Sequence, residues 1–187
     1  MSEFVSGSLR RTRRFPLSVC VVAASLILMG CSSVNSDGLD YKPEVRAVAP
    51  AKEEVNKISS SLIDWMSIKG KVSGPGAGVS VCEAVDPDLK THYTIYHPWS
   101  IYDLNKGTFA EAMQSLREQL PKHGWDITKD GETKSRAKNP EIVAVNPTSH
   151  HTVQIEWARE RSGDLKELIS ISITSRCYRA PEGTDLH

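Results

Sequence analysis

The chain has 187 residues and carries 23 Lys and Arg against 23 Asp and Glu, so its formal charge at pH 7 is zero. This length suits a single domain with a hydrophobic core plus a shorter segment outside it. Beyond the N-terminal arginines no stretch is rich in Lys and Arg, so the sequence gives little electrostatic support for binding to nucleic acid.

Residues 1–30 are typical of a bacterial lipoprotein signal peptide. Four arginines precede an uncharged apolar stretch at 16–29, which is shorter than the roughly 20 residues of a membrane-spanning helix. The sequence Leu28-Met29-Gly30-Cys31 then resembles a lipobox, although Met29 is not the commonest residue at its position. We therefore predict cleavage after the small Gly30 and a lipid on Cys31. The arginines are Arg10, Arg11, Arg13 and Arg14.

Two alternatives remain open at the N terminus. The first is an ordinary signal peptide, or an uncleaved anchor, in which Cys31 is incidental. The second concerns the export route, because Thr12-Arg13-Arg14-Phe15 matches part of a twin-arginine signal; the match is incomplete, and general secretion is favoured. Either route delivers the chain to the extracytoplasmic face of the cell membrane, where the lipid would anchor it.

The mature chain divides into three predicted parts. Without residues 1–30 it keeps 19 basic and 22 acidic residues, a net charge near −3 with His neutral. Residues 31–49 comprise the lipidated N terminus and a stretch rich in Ser, Asn, Asp, Gly and Pro, which is typical of a flexible tether. We expect one extracytoplasmic domain over 50–179 and a polar tail over 180–187.

The first half of the domain predicts a helix and two strands. Over 51–69, apolar residues recur at three- and four-residue steps, which is typical of an amphipathic helix. The glycine-rich loop 73–78 lacks the Lys-Ser/Thr of a phosphate-binding loop and is interpreted as a connector. Strands follow at 79–85 and 91–104. Pro98 cannot donate to a ladder, which predicts an edge strand, a bulge or a bend.

The second half predicts one helix and four strands. Thr108 and Glu111 form a capping box at the start of the helix 108–123. Because short turns join most of the strands, we predict an α+β two-layer sandwich. In it, an antiparallel sheet of about five to six strands is covered on one face by the two helices. The four strands are predicted at 125–128, 141–146, 152–159 and 165–178.

The four cysteines have separate roles in this interpretation. Cys20 lies in the signal peptide and Cys31 takes the lipid, which leaves Cys82 and Cys177 in an oxidising exterior. An even pair in an exported protein is most simply a disulfide. The alternative is a thiol pair that binds metal or does redox chemistry, although Cys-x-x-Cys spacing is absent. Cys82 is out of phase with the apolar residues of its strand, so a bulge or an early strand end is required.

Several of these features occur together in one known family. A lipobox, a polar tether and an opening helix precede Cys82 in the first strand; a helix ending in Gly124-Trp125 and then Cys177 in the last strand follow. This arrangement resembles the small LppA-like lipoproteins of actinobacteria over most of the mature chain. The resemblance implies a lipid-anchored α+β domain outside the cytoplasmic membrane, with no activity or catalytic residue to carry over.

No recognisable catalytic or metal motif emerges. His92 and His97 are five residues apart on a strand, and the adjacent His150 and His151 diverge, so neither pair favours a shared metal. Gly-x-Ser-x-Gly is absent, and the serines and carboxylates are scattered. We therefore predict no enzyme and no cofactor, with a composite metal or hydrolase site as the alternative. The groups in question are Ser59, Ser60, Ser61, Asp86, Asp88, Asp103 and Glu156.

The aromatic strand carries the best candidate for a binding surface. Its alternation places Ile95 and Trp99 towards the helices, so Tyr96 and Tyr102 are expected on the solvent side beside Ser100. Exposed tyrosines on a sheet suit a polymer, peptide or protein partner, whereas aromatic residues also favour strands for packing alone.

Together these features predict a lipid-anchored cell-envelope protein with a non-enzymatic binding or interaction domain. Besides the membrane, its partner would be an envelope protein or polymer bound at the open sheet face. One alternative is a small-ligand module with an apolar pocket between helices and sheet, lined by Trp99, Met113 and Trp157. The other is a hydrolase with a composite site.

Overall fold

The structure is a computed structural model that describes residues 38–159 and 165–187. These residues form an α+β domain in which two helices and nine strands build one hydrophobic core. The predicted signal peptide, the lipobox with Cys31 and residues 160–164 between the last two predicted strands lie outside the described residues. Within the described ranges, no helix has both the length and the apolar character needed to cross a membrane.

The helices lie where hydrophobic periodicity predicts them. α1 spans Val48–Met66 and α2 spans Phe109–Lys122. The predicted capping box is confirmed, because the Glu111 N–H donates to Thr108 Oγ1 at 3.2 Å and the Thr108 N–H donates to the Glu111 carboxylate at 2.9 Å. α1 ends before the predicted position, since Ser67 adopts a left-handed conformation with φ of 57° and the chain then enters a strand.

The nine strands form one mixed sheet. They are β1 (Glu44–Val45), β2 (Lys69–Ser73), β3 (Gly78–Val81), β4 (His92–Lys106), β5 (Asp126–Glu132), β6 (Pro140–Val145), β7 (Thr152–Ala158), β8 (Leu168–Thr174) and β9 (Tyr178–Arg179). Across the sheet the order is β1-β9-β4-β8-β7-β6-β5, and β2 and β3 pair with the other edge of β4. β1 runs parallel to β9, while the remaining pairs are antiparallel.

The α+β class is confirmed, but the prediction of five to six antiparallel strands is wrong. β1 lies in the segment predicted as tether, and β2 spans from the predicted end of the first helix to the start of the predicted connector, where no apolar alternation marks either strand. The predicted last strand is two strands, because the chain leaves the ladder after β8 and pairs again as β9. The parallel pair of β1 and β9 makes the sheet mixed.

Both helices pack on the face of the sheet towards which the isoleucine side chains of the strands point. Ile95 and Ile101 on β4 and Ile171 on β8 are each at most 1% exposed. Ser115 on α2 donates to the Trp65 carbonyl oxygen on α1 at 2.6 Å, which ties the helices together. The helices bury Val55, Leu62, Met66, Met113, Leu116 and Leu120 against this face.

The opposite face, called the outer face below, is polar. Ladder register places Ser100 beside Ser170 and Ser170 beside Glu156. On the same face Glu141 accepts a hydrogen bond from Gln154 Nε2 at 2.6 Å and forms an ion pair with Lys129. The outer face therefore presents hydroxyl, amide and carboxylate groups instead of a second core.

Pro98 lies in a central strand at a gap in one ladder. On one edge of β4, β2 pairs as far as Ser100 and β3 begins at Tyr96, so Pro98 has no ladder partner there. The Pro98 carbonyl oxygen points to this edge, where it approaches Gly74. The N–H and C=O groups of a strand residue point to the same edge of the strand. The N–H that proline lacks would therefore point into the gap between β2 and β3, where no ladder partner needs it. The sequence predicted an edge strand, a bulge or a bend at Pro98, and of these the edge strand is wrong.

Residues outside the predicted domain boundaries also pack on the domain. β1 belongs to the segment predicted as tether, and Tyr41 of that segment accepts a hydrogen bond from the Cys177 N–H at 2.8 Å. In the predicted polar tail, the Ala180 N–H donates to the Thr91 carbonyl oxygen at 2.8 Å, and Leu186 is buried in the core. The folded unit thus includes residues on both sides of 50–179.

Candidate binding surfaces

Cys82 and Cys177 form the predicted disulfide, with 5.7 Å between their Cα atoms. β3 ends at Val81, so Cys82 lies just past the strand end, where it makes an isolated bridge with Asp86. The early strand end, not a bulge, removes the mismatch in phase. Both cysteines are buried, and the disulfide ties the end of β3 to the corner between β8 and β9.

Asp86 organises the loop that follows Cys82. Its Oδ2 accepts hydrogen bonds from three consecutive backbone N–H groups, those of Lys90, Thr91 and His92, at 2.8, 2.6 and 2.9 Å. These bonds, that of Thr91 foremost, stabilise the carboxylate and lower the pKa of Asp86 to about 2. The loop is therefore held in one conformation beside the disulfide.

The structure separates the residues that were predicted as one interaction surface. Tyr96, Ser100 and Tyr102 all lie on the outer face, and Tyr96 is 41% exposed, while Ile95 and Trp99 are buried in the predicted phase. Tyr96 and Tyr102 are six residues apart on one strand, which is roughly 20 Å. They do not form one patch, and a binding role for any of them stays a prediction.

Tyr96 lines a groove of about 450 Å³ beside the disulfide, called the Tyr96 groove below. Tyr41 and His150 also line it, with their ring centroids 4.3 Å apart. The Arg176 guanidinium lies over the Tyr41 ring at 4.4 Å from the ring centroid, so this ring is held in place by two neighbours. The hydroxyl side chains that line the groove are Ser80, Thr94, Thr152, Thr174 and Ser175.

The two other rings that line the Tyr96 groove were not predicted as binding residues from the sequence. Tyr41 belongs to the segment predicted as tether, and His150 to a turn between strands. The one local signal for Tyr41 is an aromatic residue in an otherwise polar stretch. No local signal marks His150, because the groove is assembled from segments that are far apart in the chain.

Tyr102 has a different environment from Tyr96. Its ladder partner on β2 is Lys71, whose Nζ donates to the Asp103 carboxylate at 2.9 Å. Lys166 donates to the other oxygen of the same carboxylate at 3.1 Å. These hydrogen bonds, that of Lys71 first, lower the pKa of Asp103. This end of the outer face is therefore charged, and Ser100 lies between it and the Tyr96 groove.

Of the groups considered for a composite catalytic or metal site, Ser59 and His97 are brought together, with 2.7 Å between Oγ and Nδ1, and the others are engaged separately. Asp88 binds Lys90 at 2.7 Å, and Glu156 accepts a hydrogen bond from Asn139 at 2.7 Å. His92 Nδ1 lies 2.9 Å from the hydroxyl of its neighbour Thr91. In the part of the chain that the structure describes, no three His, Cys, Asp or Glu side chains converge to hold a metal ion.

A buried polar cluster lies near the start of α1. His151 is fully buried; its Nδ1–H donates to the Ser149 carbonyl oxygen at 3.1 Å, and its Nε2 lies 3.9 Å from the Glu54 carboxylate. Glu54 also forms an ion pair with Arg46 at 2.8 Å and accepts from the Tyr178 hydroxyl at 3.4 Å. Burial lowers the pKa of His151. The cluster joins the chain just after β1 to α1, β9 and the start of β7.

A second cleft, of about 400 Å³, lies between α1 and β4 on the helix side of the sheet and is called the Trp99 cleft below. Ser59 and His97 line it together with Trp99. Met113 and Trp157, which the sequence placed with Trp99 around one apolar pocket, line neither this cleft nor the Tyr96 groove. Ser59 and His97 lie at positions where the periodicity of α1 and β4 predicts inward-facing apolar residues. Polar residues at such positions are a signal for this cleft that the sequence contained.

The fold and these surfaces define a disulfide-bridged α+β domain that carries the Tyr96 groove on the outer face of its sheet and the Trp99 cleft on the helix side. The chain matches no protein-family model, no curated protein and no solved structure. The resemblance to LppA-like lipoproteins stays a prediction.

Proposed function

We propose that this chain is a lipid-anchored, non-enzymatic envelope protein on the extracytoplasmic face of the cell membrane, whose domain binds a neutral, hydroxyl-rich envelope polymer in the Tyr96 groove. The groove itself carries the proposal, because it combines exposed Tyr96 with several hydroxyl side chains. An aromatic ring offers an apolar face with a polar end, and hydroxyl groups both donate and accept hydrogen bonds. A chain of sugar rings has the matching apolar and hydroxyl surfaces.

The charge of the groove favours a neutral polymer. Among the described residues that line it, Glu83 is the one with a charged side chain. Arg176 lies against the Tyr41 ring at the side of the groove. A polyanion would require a cluster of basic side chains, which this lining does not provide.

The N-terminal segment favours a partner close to the membrane. Leu39 and Tyr41 line the groove. Cys31 precedes Tyr41 by ten residues, which span at most roughly 36 Å when fully extended. A lipid on Cys31 therefore keeps the groove within that distance of the membrane surface, where envelope polymers are within reach.

The lipid anchor is tested by the substitution Cys31→Ser in the full-length chain. Without the thiol there is no group for lipid transfer, so the variant should be recovered uncleaved or soluble. Detergent phase partition and intact mass measure this, with the wild type retained in the detergent phase at a mass that includes the lipid. A variant that partitions like the wild type at the mature mass would contradict the anchor.

Polymer binding is tested by sedimentation of the full-length protein in detergent with protease-treated, insoluble cell-wall polysaccharide. We expect Tyr96→Ala to lower the affinity about five-fold or more, as loss of a contact residue does in many interfaces. Tyr102→Ala is the matched control, since it removes the same side chain from the same strand and face outside the groove.

Three results of this experiment would contradict polymer binding in the groove. One is equal weakening by the two substitutions, and another is wild-type protein that stays in the supernatant. The third is sedimentation only with walls that still carry their proteins, which would identify a protein partner instead. Circular dichroism of both variants checks that the fold is retained.

A further inference from the structure

The contact between α1 and β4 contains a polar pair in apolar surroundings. Ser59 is 5% exposed on the buried side of α1, where Val55 and Leu62 are fully buried. Its Oγ donates to the Val55 carbonyl oxygen at 3.1 Å and lies 2.7 Å from His97 Nδ1. Because the serine hydroxyl has one proton, His97 Nδ1–H donates to Ser59, and His97 Nε2 is left as an acceptor.

The environment of His97 favours the neutral form of its imidazole. Burial lowers the pKa of its imidazole below the ordinary value. Ser59 is its one hydrogen-bond partner among the described residues, so Nε2 has none there. An acceptor nitrogen in the wall of the Trp99 cleft suits a ligand with a hydroxyl group.

Trp99 adds a donor without a partner. The residue is 4% exposed and lines the same cleft, yet its indole Nε1–H makes no hydrogen bond with any described residue. An indole N–H can only donate, so it requires an acceptor. Leaving a buried donor unpaired is unfavourable, and such groups are uncommon in folded proteins.

The glycine-rich chain between β2 and β3 forms one wall of the cleft. A Cβ on Gly74 would lie 2.7 Å from the Pro98 carbonyl oxygen and 2.8 Å from Trp99 Cβ, so only glycine allows this approach. Gly76 has φ of 80° and also lines the cleft. The segment predicted as a connector therefore shapes a binding site.

The remaining lining is apolar or uncharged. Ile63 and Val72 provide apolar walls, and Val72 is 51% exposed. Asn56 and Ser60 are the other polar side chains, and none of the described residues that line the cleft is charged. A volume of about 400 Å³ lies within the usual range for small-molecule sites.

From these observations we infer that the Trp99 cleft is a second binding site, for a small neutral ligand with an apolar body and a hydroxyl group. The ligand hydroxyl accepts a hydrogen bond from Trp99 Nε1–H and can donate one to His97 Nε2, and the apolar body packs on Ile63 and Val72. The site lies on the helix side of the sheet and is independent of the polymer groove on the outer face.

Benzyl alcohol, toluene and benzoate are the probes for this site, used with the ¹⁵N-labelled full-length protein in detergent. We expect benzyl alcohol to shift the indole N–H signal of Trp99 and to leave that of Trp157 in place. Toluene lacks the oxygen and should shift the Trp99 signal less. Benzoate is charged at pH 7 and should bind at least ten-fold more weakly than benzyl alcohol.

Trp99→Phe keeps an aromatic ring and removes the donor. It should weaken benzyl alcohol about two- to ten-fold, the range for one hydrogen bond, and change toluene binding less than two-fold. Trp157→Phe is the matched control, because Trp157 donates its own indole N–H to Glu167 at 3.0 Å away from the cleft. It should leave the binding of both probes unchanged.

The inference is overturned if benzyl alcohol leaves the Trp99 signal in place, if benzoate binds as well as benzyl alcohol, or if Trp99→Phe weakens toluene and benzyl alcohol equally. Should Trp99→Phe fail to fold, the comparison of the three probes on the wild-type protein decides the question alone.

Discussion

At the scale of single residues, Asp86 shows how one carboxylate holds the loop that follows Cys82. It holds the backbone from Lys90 to His92, in the loop that begins at Cys82. We expect Asp86→Ala to lower the free energy of unfolding by about 2 kcal/mol, because hydrogen bonds to a charged group are lost. Urea unfolding at pH 7 measures the change. Asp88→Asn is the control, since Asp88 is exposed and pairs with Lys90 at the surface.

The same residue predicts a dependence on acid pH. The pKa of Asp86 is about 2 in the folded chain, below its ordinary value of 3.8. The stabilisation is therefore complete above pH 4 and is lost as the pH falls from about 4 to 2. The difference in unfolding free energy between wild type and Asp86→Ala should shrink over that window. An unchanged difference down to pH 2 would show that the carboxylate charge is not what holds the loop.

Most of what the sequence could predict about the binding surfaces comes from the alternation of inward and outward side chains along the strands. Strict alternation along β4 predicts that Tyr96 is outward and Ile95 inward, and the exposures agree. The same alternation places His97 inward, so a polar partner across the core could have been sought. Ser59 is 38 residues away, and no local rule links the two. Contacts between distant segments require the three-dimensional arrangement.

At the scale of elements, the helices were more predictable than the sheet. A helix of three or more turns repeats its apolar face several times, and α2 adds a capping box at its start. β1 and β9 have two residues each, which is too short for any alternation. β5 continues past the predicted end of its strand at 128 and through Asp130-Gly131; it is an edge strand with a register shift after Ile127.

The geometry of β4 also explains why the Tyr96 groove and the Trp99 cleft lie on opposite faces of the sheet. β4 has fifteen residues and pairs along both edges, so it supplies Tyr96 to the outer face and Trp99 to the helix side. The gap opposite Pro98 lets the chain at Gly74 lie over the strand and close the Trp99 cleft. Proline is usually confined to the edges of sheets. In this central strand, Pro98 instead lies at the gap that makes room for the loop at Gly74.

At the scale of the whole molecule, the disulfide joins regions separated by 95 residues. A loop of that length gives a stabilisation of about 4 to 5 kcal/mol in the chain-entropy description, because the crosslink restricts the unfolded chain. We expect reduction, or the double substitution Cys82→Ala and Cys177→Ala, to lower the free energy of unfolding by about 3 to 5 kcal/mol. Urea unfolding with and without reductant measures this loss.

The location of the disulfide predicts which parts of the molecule its loss affects. Cys82 and Cys177 both line the Tyr96 groove, so hydrogen exchange should rise first in the 82–92 loop and around β9, and least in α2. The Tyr96-dependent affinity for polysaccharide should fall on reduction, while benzyl alcohol binding in the Trp99 cleft should stay unchanged. Alkylation of the unfolded, non-reduced protein should label neither cysteine. Full labelling of both, or equal unfolding free energies with and without reductant, would show that the crosslink does not hold this end of the sheet together.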